Sequence, residues 1–232
     1  MKTSDNTILI TGGASGTGLE LAKLLSAMGN QVIITGKNKI LLNRISSENG
    51  NIATLFCDTA CEKDVDKLIY NVRKKFPALN VFINNAGQSY LESEEYLLAG
   101  CPDHLLSQYL SGIRITEELL PLFEIQENAT VIDASLLTLG FVKNSNLITS
   151  IRAIAGSYYK LLRHKLKGSG IEVPDLQGIA LDENSNPAMI AFRLIETMYN
   201  TTPVLRASDS NDYAYINTLR LSKKFINNHI TN

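Results

Sequence analysis

Small and hydroxyl-bearing residues cluster near the start of the chain, in the segment Thr11-Gly12-Gly13-Ala14-Ser15-Gly16-Thr17-Gly18. Glycine permits tight turns and lets the backbone approach an anionic group closely. The segment lies between an apolar run and a helical pattern, and a helix N-terminus offers free N–H groups and a positive dipole end. It therefore predicts a pyrophosphate-binding turn, although such a turn would also serve merely to pack a helix on a sheet. The candidate contacts are Gly12, Ser15, Gly16, Thr17 and Gly18.

Two further polar segments directly follow apolar runs. Cys57-Asp58-Thr59 follows the run 52–56, and Asn84-Asn85-Ala86-Gly87 follows the run 79–83. The carboxyl ends of parallel strands meet at one edge of a sheet, and ligands of open α/β sheets bind there. Asp58 taken alone is equally typical of a helix cap or a turn. The added candidates for ligand contact are Asp58, Asn85, Ala86 and Gly87.

The elements that would position these residues alternate between strand and helix patterns. Short β-rich runs occur at 7–11, 31–35, 52–56, 79–83, 129–134 and from 171, and helical periodicity at 21–28, 65–76, 104–120, 148–166 and 188–199. This alternation predicts an α/β, Rossmann-like, doubly wound domain of three layers (αβα) with a mostly parallel sheet. We expect a single dinucleotide-binding domain over 1–232. The polar tail after about 201 is the least regular part, with a loop at 208–211 and a last helix at 216–225.

Composition excludes several classes of function. The 232 residues carry a formal net charge of −1, so no broad field favours nucleic acid or an anionic membrane. The cysteines Cys57, Cys61 and Cys101 show no metal-ligand spacing, so we expect no metal and a reducing, cytoplasmic compartment. The polar N-terminus predicts no signal peptide, and no apolar run is long enough to span a bilayer.

The three polar segments together resemble those of the short-chain dehydrogenase/reductase (SDR) family. The spacing Thr-Gly-x-x-x-Gly-x-Gly, the Asn-Asn-Ala-Gly segment and Asp58 all match it in order, and the resemblance covers about residues 7–195. It implies that Asp58 contacts the adenine amino group of a dinucleotide. It also implies a homodimer or homotetramer formed through helices 104–120 and 148–166, acting on a small molecule that the sequence does not identify.

The end of the second strand indicates which dinucleotide is bound. NAD-binding relatives carry an acid there for the ribose 2′-hydroxyl, but this chain reads Thr35-Gly36-Lys37-Asn38. Lys37 lies where NADP-preferring relatives often carry arginine, and a lysine can pair with a 2′-phosphate. The alternative is an ordinary exposed lysine. We therefore expect NADP(H) in preference to NAD(H).

The resemblance also locates four catalytic positions, and all four are changed. The family's Tyr-x-x-x-Lys pair falls on Ile148 and Arg152, with the register set by the segment 162–167. Its catalytic serine falls on Leu136, or on Leu137 if the loop holds an insertion, and its helix asparagine falls on Tyr109. Ser135 is adjacent to the serine position, but neighbouring strand residues face opposite sides, so it would need a local bulge to substitute. Ile and Leu have no proton to give, and Arg does not deprotonate in proteins.

Two functional hypotheses remain from the sequence. One is an NADP(H)-dependent oxidoreductase with a rebuilt active site, in which Tyr109 replaces the proton donor and Tyr90 or Glu92 are lesser candidates. The other is a scaffold without ordinary carbonyl reduction, either a non-redox catalyst or a cofactor-sensing or partner-binding pseudoenzyme, and the loss of four groups favours this one. Two other tyrosine pairs have the family's spacing in the wrong place and are expected to be structural: Tyr70 with Lys74, and Tyr159 with Arg163.

Overall fold

The computed structural model describes residues 1–86, 102–135, 146–176 and 186–200. Strands and helices alternate along these segments as the sequence predicts. In chain order they are β1 (Thr7–Ile10), α1 (Gly16–Ala27), β2 (Gln31–Gly36), α2 (Lys39–Glu48), β3 (Ile52–Phe56), α3 (Glu62–Lys75), β4 (Leu79–Asn84), α4 (Pro102–Phe123), β5 (Ala129–Asp133), α5 (Asn146–Lys165), β6 (Ile171–Glu172) and α6 (Pro187–Asn200). The predicted loop 208–211 and helix 216–225 lie outside the described residues.

The six strands form one parallel sheet in the order β3-β2-β1-β4-β5-β6. This order confirms the predicted doubly wound architecture. It reverses direction at β1, where Ile10 pairs with Ile34 on one side and with Ile83 on the other. Helices leave such a point toward opposite faces of the sheet and open a crevice at the carboxyl ends of the strands. A ligand site is therefore expected at the ends of β1 and β4.

Each face of the sheet is covered by its own hydrophobic core. Successive strand residues point to opposite faces, so Ile8 and Ile10 enter one core while Leu9 enters the other. The first core contains side chains of α1, α2 and α6, such as Leu25, and the second contains those of α3, α4 and α5, such as Ile115. Helices thus flank the sheet on both sides, which confirms the three-layer αβα prediction.

Helix α2 was not predicted from the sequence. Asn38 caps it, since the Asn38 side-chain oxygen accepts a hydrogen bond from Leu41 N at 3.0 Å. Only Leu42 and Ile45 of its ten residues are buried. Two anchoring residues are too few to produce a clear apolar periodicity, so the cap was the stronger signal for this helix.

Candidate functional site

The glycine loop is held between the ends of β2 and β4. Thr11 N donates to Ile83 O at 3.1 Å, and Gly13 N donates to Thr35 O at 2.9 Å. A Cβ atom added at Gly13 would lie 2.7 Å from Ile34 Cβ, so only glycine lets the loop lie this close to β2. These contacts fix the loop directly over the reversal of strand order.

The first turn of α1 faces open space. Gly16 has a φ of +53°, and a Cβ added there would meet no heavy atom within 4 Å. Ser15 precedes the helix with extended backbone, and its hydroxyl makes no capping hydrogen bond. Ser15 and Gly16 are exposed, whereas Thr17 is buried. An anion placed beside Gly16 would therefore meet the N–H groups and the positive dipole end of a helix start.

Asn85 ties the end of β4 to the glycine loop. Its side-chain Nδ2 donates to Thr11 O and to Gly12 O, both at 3.2 Å. A Cβ added at Gly18 would collide with Asn85 Nδ2 and lie 2.5 Å from Gly12 O, and one added at Gly12 would lie 3.1 Å from Ala86 Cα. The absence of side chains at Gly12 and Gly18 is thus required by the approach of the Asn-Asn-Ala segment.

The side-chain oxygen of Asn85 offers a ligand a buried hydrogen-bond acceptor. Asn85 Oδ1 is buried and has no hydrogen-bond partner within the described part of the chain. A buried acceptor without a donor costs about 1–3 kcal/mol, and a ligand hydroxyl beside it would remove that cost. Together with the open N-terminus of α1 at Gly16, this arrangement fits the pyrophosphate and a ribose of a dinucleotide.

Asp58 and Lys37 end neighbouring strands at the same edge of the sheet. Asp58 is half-buried, and its Oδ1 accepts a hydrogen bond from Ala60 N at 3.0 Å, which closes the turn into α3. The turn role considered for Asp58 is therefore present, and its contact with adenine stays a prediction. Lys37 is exposed just after β2. Gly87, the remaining predicted contact, lies outside the described residues.

A buried polar cluster joins the ends of β4 and β5, and the sequence reasoning missed it. Asp133 Oδ1 accepts hydrogen bonds from Asn84 Nδ2 at 3.1 Å, Ser135 N at 3.2 Å and Ser135 Oγ at 2.5 Å. Burial raises the pKa of the Asp133 carboxyl to about 6, although these donors act in the opposite direction. The available signal was an acid at the end of the apolar run 129–132. The Ser135 hydroxyl, considered as a substitute for the missing serine, is directed to this interior cluster.

The structure describes only part of the altered catalytic set. Tyr109 lies on α4 and is 4% exposed. One turn later, α4 comes so close to the end of β4 that a Cβ added at Gly112 would collide with the Asn84 side chain. Ile148 and Arg152 lie on α5, but their side chains are outside what the structure describes, as is all of Leu136. Tyr109 therefore lies one turn of α4 before the point where this helix contacts the end of β4.

The two tyrosine pairs with family-like spacing lie in structural positions, as expected. Tyr70 is 62% exposed on α3, with Lys74 Nζ 3.5 Å from its hydroxyl. Tyr159 is buried, and its hydroxyl lies 3.4 Å from Thr116 Oγ1 on α4. Arg163 donates to the carbonyl oxygen of Val173 at 2.6 Å. Tyr90 and Glu92 lie outside the described residues.

Within the described residues, no three His, Cys, Asp or Glu side chains converge as metal ligands would. None of the described helices combines the length and the hydrophobicity needed to cross a bilayer.

Comparison with known proteins gives relatives over most of the chain. The chain is 31% identical over 195 residues to the uncharacterized oxidoreductase DltE of Bacillus subtilis (strain 168), covering 80% of this chain and 75% of that protein. Its fold is similar to that of a 3-ketoacyl-(acyl-carrier-protein) reductase from Brucella melitensis complexed with NADH, with a TM-score of 0.61, 23% identity and 73% of each chain covered. It is also similar to a metagenomic short-chain oxidoreductase in complex with NADP, with a TM-score of 0.66, 16% identity, and 86% of this chain and 94% of that one covered.

A family model agrees with these relatives and with the geometry of the loop. The model described as short chain dehydrogenase matches residues 6–174, well over half of the 232 residues. That span contains β1 to β6, the glycine loop and the Asn84–Ala86 segment that Asn85 joins to it. This chain therefore belongs to the short-chain dehydrogenase family of oxidoreductases.

Proposed function

We propose that this protein binds a nicotinamide dinucleotide at the glycine loop, prefers NADP(H) to NAD(H), and does not carry out ordinary carbonyl reduction. The observation that carries the binding proposal is the open start of α1 at Gly16 together with the unsatisfied, buried Asn85 Oδ1 at the end of β4. The residues that would hold the cofactor are those of the loop and of the strand ends: Gly12, Ser15, Gly16, Thr17, Gly18, Lys37, Asp58, Asn85, Ala86 and Gly87.

The preference for NADP(H) rests on Lys37. Structural neighbours contain NADH in one case and NADP in another, so similarity of fold does not choose between the two cofactors. Lys37 is exposed directly after β2. An ammonium group beside the adenine ribose would form an ion pair with a 2′-phosphate, which is stronger than its hydrogen bond to a 2′-hydroxyl.

The proposed loss of carbonyl reduction rests on which side chains occupy the four catalytic positions. A bound nicotinamide cofactor supplies or accepts a hydride, and the protein must supply the proton for the carbonyl oxygen. Ile148 and Leu136 carry no exchangeable proton, and Arg152 stays charged. Removing a positioned general acid lowers a rate by about 10²–10⁴-fold. A non-redox catalyst or a cofactor-sensing pseudoenzyme is consistent with this set of residues.

A specific observation supports one alternative, an NADPH-dependent reductase with a rebuilt active site. Tyr109 carries the phenol of the usual proton donor on a different helix. Tyr109 is buried on α4, one turn before Gly112, and Gly112 packs against the Asn84 side chain at the end of β4. In this alternative Tyr109 gives its proton to the substrate oxygen from the side of α4.

Large apolar side chains are exposed on the two long helices α4 and α5. Leu110 on α4 and Ile154 and Leu161 on α5 are large apolar residues that are 44%, 48% and 69% exposed. Exposed apolar residues on two adjacent helices favour a homodimer or homotetramer formed through α4 and α5.

Cys57 and Cys61 are free thiols, which is consistent with a reducing, cytoplasmic compartment.

The decisive activity experiment is a substrate panel. Purified protein is incubated with NADPH and with ketones, aldehydes and enones, and NADPH absorbance is followed. We expect cofactor binding without oxidation of NADPH. Turnover on the order of 10 s⁻¹, an ordinary enzyme rate, would overturn the proposed loss of carbonyl reduction and favour the reductase with Tyr109 as donor.

A further inference from the structure

A continuous chain of hydrogen bonds connects a buried acid to the glycine loop. Asn84 Nδ2 donates to Asp133 Oδ1 at 3.1 Å, and Asn84 Oδ1 accepts from Thr11 Oγ1 at 3.1 Å. Thr11 Oγ1 in turn accepts from Asn85 N at 3.1 Å and from Ala86 N at 3.2 Å. The end of β5 is thereby linked through β4 to the segment that holds the loop.

The donor and acceptor of each hydrogen bond in this series are fixed by the acceptor oxygen of Asp133. The Thr11 oxygen accepts from two backbone N–H groups, so its single proton is directed to Asn84. Asn84 must then present its oxygen to Thr11 and its amide protons to Asp133. A group that can only donate at position 133 would reverse the Asn84 amide and break its bond with Thr11.

Asp133 has one oxygen that accepts several bonds and one that accepts none. Ser135 N and Ser135 Oγ join Asn84 on Oδ1, whereas Oδ2 is buried without a hydrogen-bond partner in the described segments. The unpartnered oxygen is the natural place for a proton, and burial favours the neutral form.

Among the side chains that the structure describes, the groups packed against Asp133 are neutral or weakly acidic. From α5 the titratable side chain is Tyr159, whose pKa is raised first by its own burial and then by the charge of Asp133. From α4 the neighbouring group is the neutral hydroxyl of Thr116, 3.4 Å from the Tyr159 hydroxyl. From β4 it is the neutral amide of Asn84. Arg152 lies two turns before Tyr159 on α5.

We infer that Asp133 is a positioning residue for the cofactor loop and that its proton and the dinucleotide are linked, an inference that rests on the proposed binding of a dinucleotide there. A dinucleotide brings negative charge to the edge of the sheet where Asp133 lies, so it binds the neutral form of Asp133 better than the ionised form. Linkage is reciprocal, and the affinity for the dinucleotide therefore falls as rising pH ionises Asp133.

Affinity measured against pH in matched variants tests this coupling. NADPH and NADH are titrated into the full chain, wild type and Asp133→Asn, at several values between pH 5 and pH 8. The asparagine keeps the acceptor oxygen and cannot titrate. We expect the ratio of the wild-type Kd to the variant Kd to rise by about fivefold across this range. The ratio is used because the NADPH 2′-phosphate itself titrates near pH 6. Asp5→Asn, an exposed acid at the opposite end of β1, should give a flat ratio.

A second variant covers the case in which Asp133→Asn does not fold. Ser135→Ala removes the hydroxyl donor that lies 2.5 Å from Asp133 Oδ1, and loss of this donor raises the pKa of Asp133. The dinucleotide affinity of this variant should therefore fall at a higher pH than that of the wild type. A transition that stays at the wild-type pH would overturn the inference, as would a flat ratio for Asp133→Asn.

Thermal unfolding separates this inference from the proposed function. The wild type should lose melting temperature relative to Asp133→Asn between pH 5 and pH 8, with or without cofactor. If no dinucleotide binds the wild type at any pH, the proposed function fails while this melting comparison still tests the titration of Asp133. If dinucleotide binds but the Kd ratio and the melting difference are both independent of pH, the inference is wrong and the proposed function stands.

Discussion

The side-chain nitrogen of Asn85 donates to the carbonyl oxygen of Gly12 at 3.2 Å, across the point where the strand order reverses. This contact leaves no room for a side chain at Gly18, where a Cβ would collide with Asn85 Nδ2 and lie 2.5 Å from Gly12 O. The same two residues thus set the shape of the loop and present Asn85 Oδ1, the buried acceptor that a ligand would satisfy.

Replacing Gly18 should disrupt the loop and its binding site together. We expect Gly18→Ala to lower the free energy of unfolding by about 2–4 kcal/mol, because backbone must move to admit the methyl group. Dinucleotide binding should be lost as well. Gly50→Ala is the matched control, since a Cβ there meets no atom within 4 Å, and it should change stability by less than about 0.5 kcal/mol. Denaturant unfolding of both variants measures this, and equal effects would refute the packing argument.

Tyr109 should be dispensable for binding and decisive for any reduction. Tyr109→Phe removes only a hydroxyl from a residue that is 4% exposed on α4, so the Kd for NADPH should stay within about twofold. Any carbonyl reduction by the wild type should fall by about 10²-fold or more, the usual effect of losing a general acid. Steady-state rates on the most active substrate provide the test. Activity that survives the change would remove Tyr109 as the proton donor.

The apolar surface of α5 should control assembly. Ile154 and Leu161 are seven residues apart and therefore share one face of that helix. We expect Leu161→Asp to convert a dimer or tetramer into smaller species in light scattering after size-exclusion chromatography. Ile40→Asp is the control, because Ile40 is 83% exposed on α2, which packs on the opposite face of the sheet. A similar dissociation in both variants, or none in Leu161→Asp, would argue against an interface through α5.

The cysteines should differ sharply in reactivity. Burial, together with the nearby acids Asp64 and Asp58, raises the pKa of the Cys57 thiol to about 12, so it stays protonated at pH 7 and pH 8. Cys61 is exposed at the start of α3. Alkylation of native protein followed by peptide mapping should label Cys61 well before Cys57. Equal labelling rates would show that the end of β3 opens readily.

Most of the architecture could be predicted because it depends on local pattern. Apolar runs such as 79–83 and the helical periodicity of α3 locate strands and helices to within a few residues, and the alternation of these elements implies the parallel sheet. Helix α2 lacked such a pattern, since only Leu42 and Ile45 anchor it. The only sequence signal for the start of α2 was the capping residue Asn38, and an asparagine is also typical of a turn.

The site was harder to predict because it depends on contacts between distant segments. The glycine loop and the Asn84-Asn85-Ala86 segment each had a readable motif, so their positions were predicted correctly at the ends of β1 and β4. The network of Thr11, Asn84 and Asp133 spans more than a hundred residues of sequence. No spacing rule relates an acid on β5 to a threonine on β1, and only the strand order brings them together.

The proposed binding of a phosphorylated nicotinamide dinucleotide at the loop depends on Lys37. Titration of purified protein with NADPH and NADH, followed by nucleotide fluorescence, tests it most directly, with Lys37→Glu beside the wild type and Lys160→Glu as an exposed control on α5. We expect the wild type and Lys160→Glu to bind NADPH about tenfold tighter than NADH or better, a difference of about 1.4 kcal/mol. Lys37→Glu should show no such preference. Binding of neither nucleotide, or tighter binding of NADH by the wild type, would contradict it.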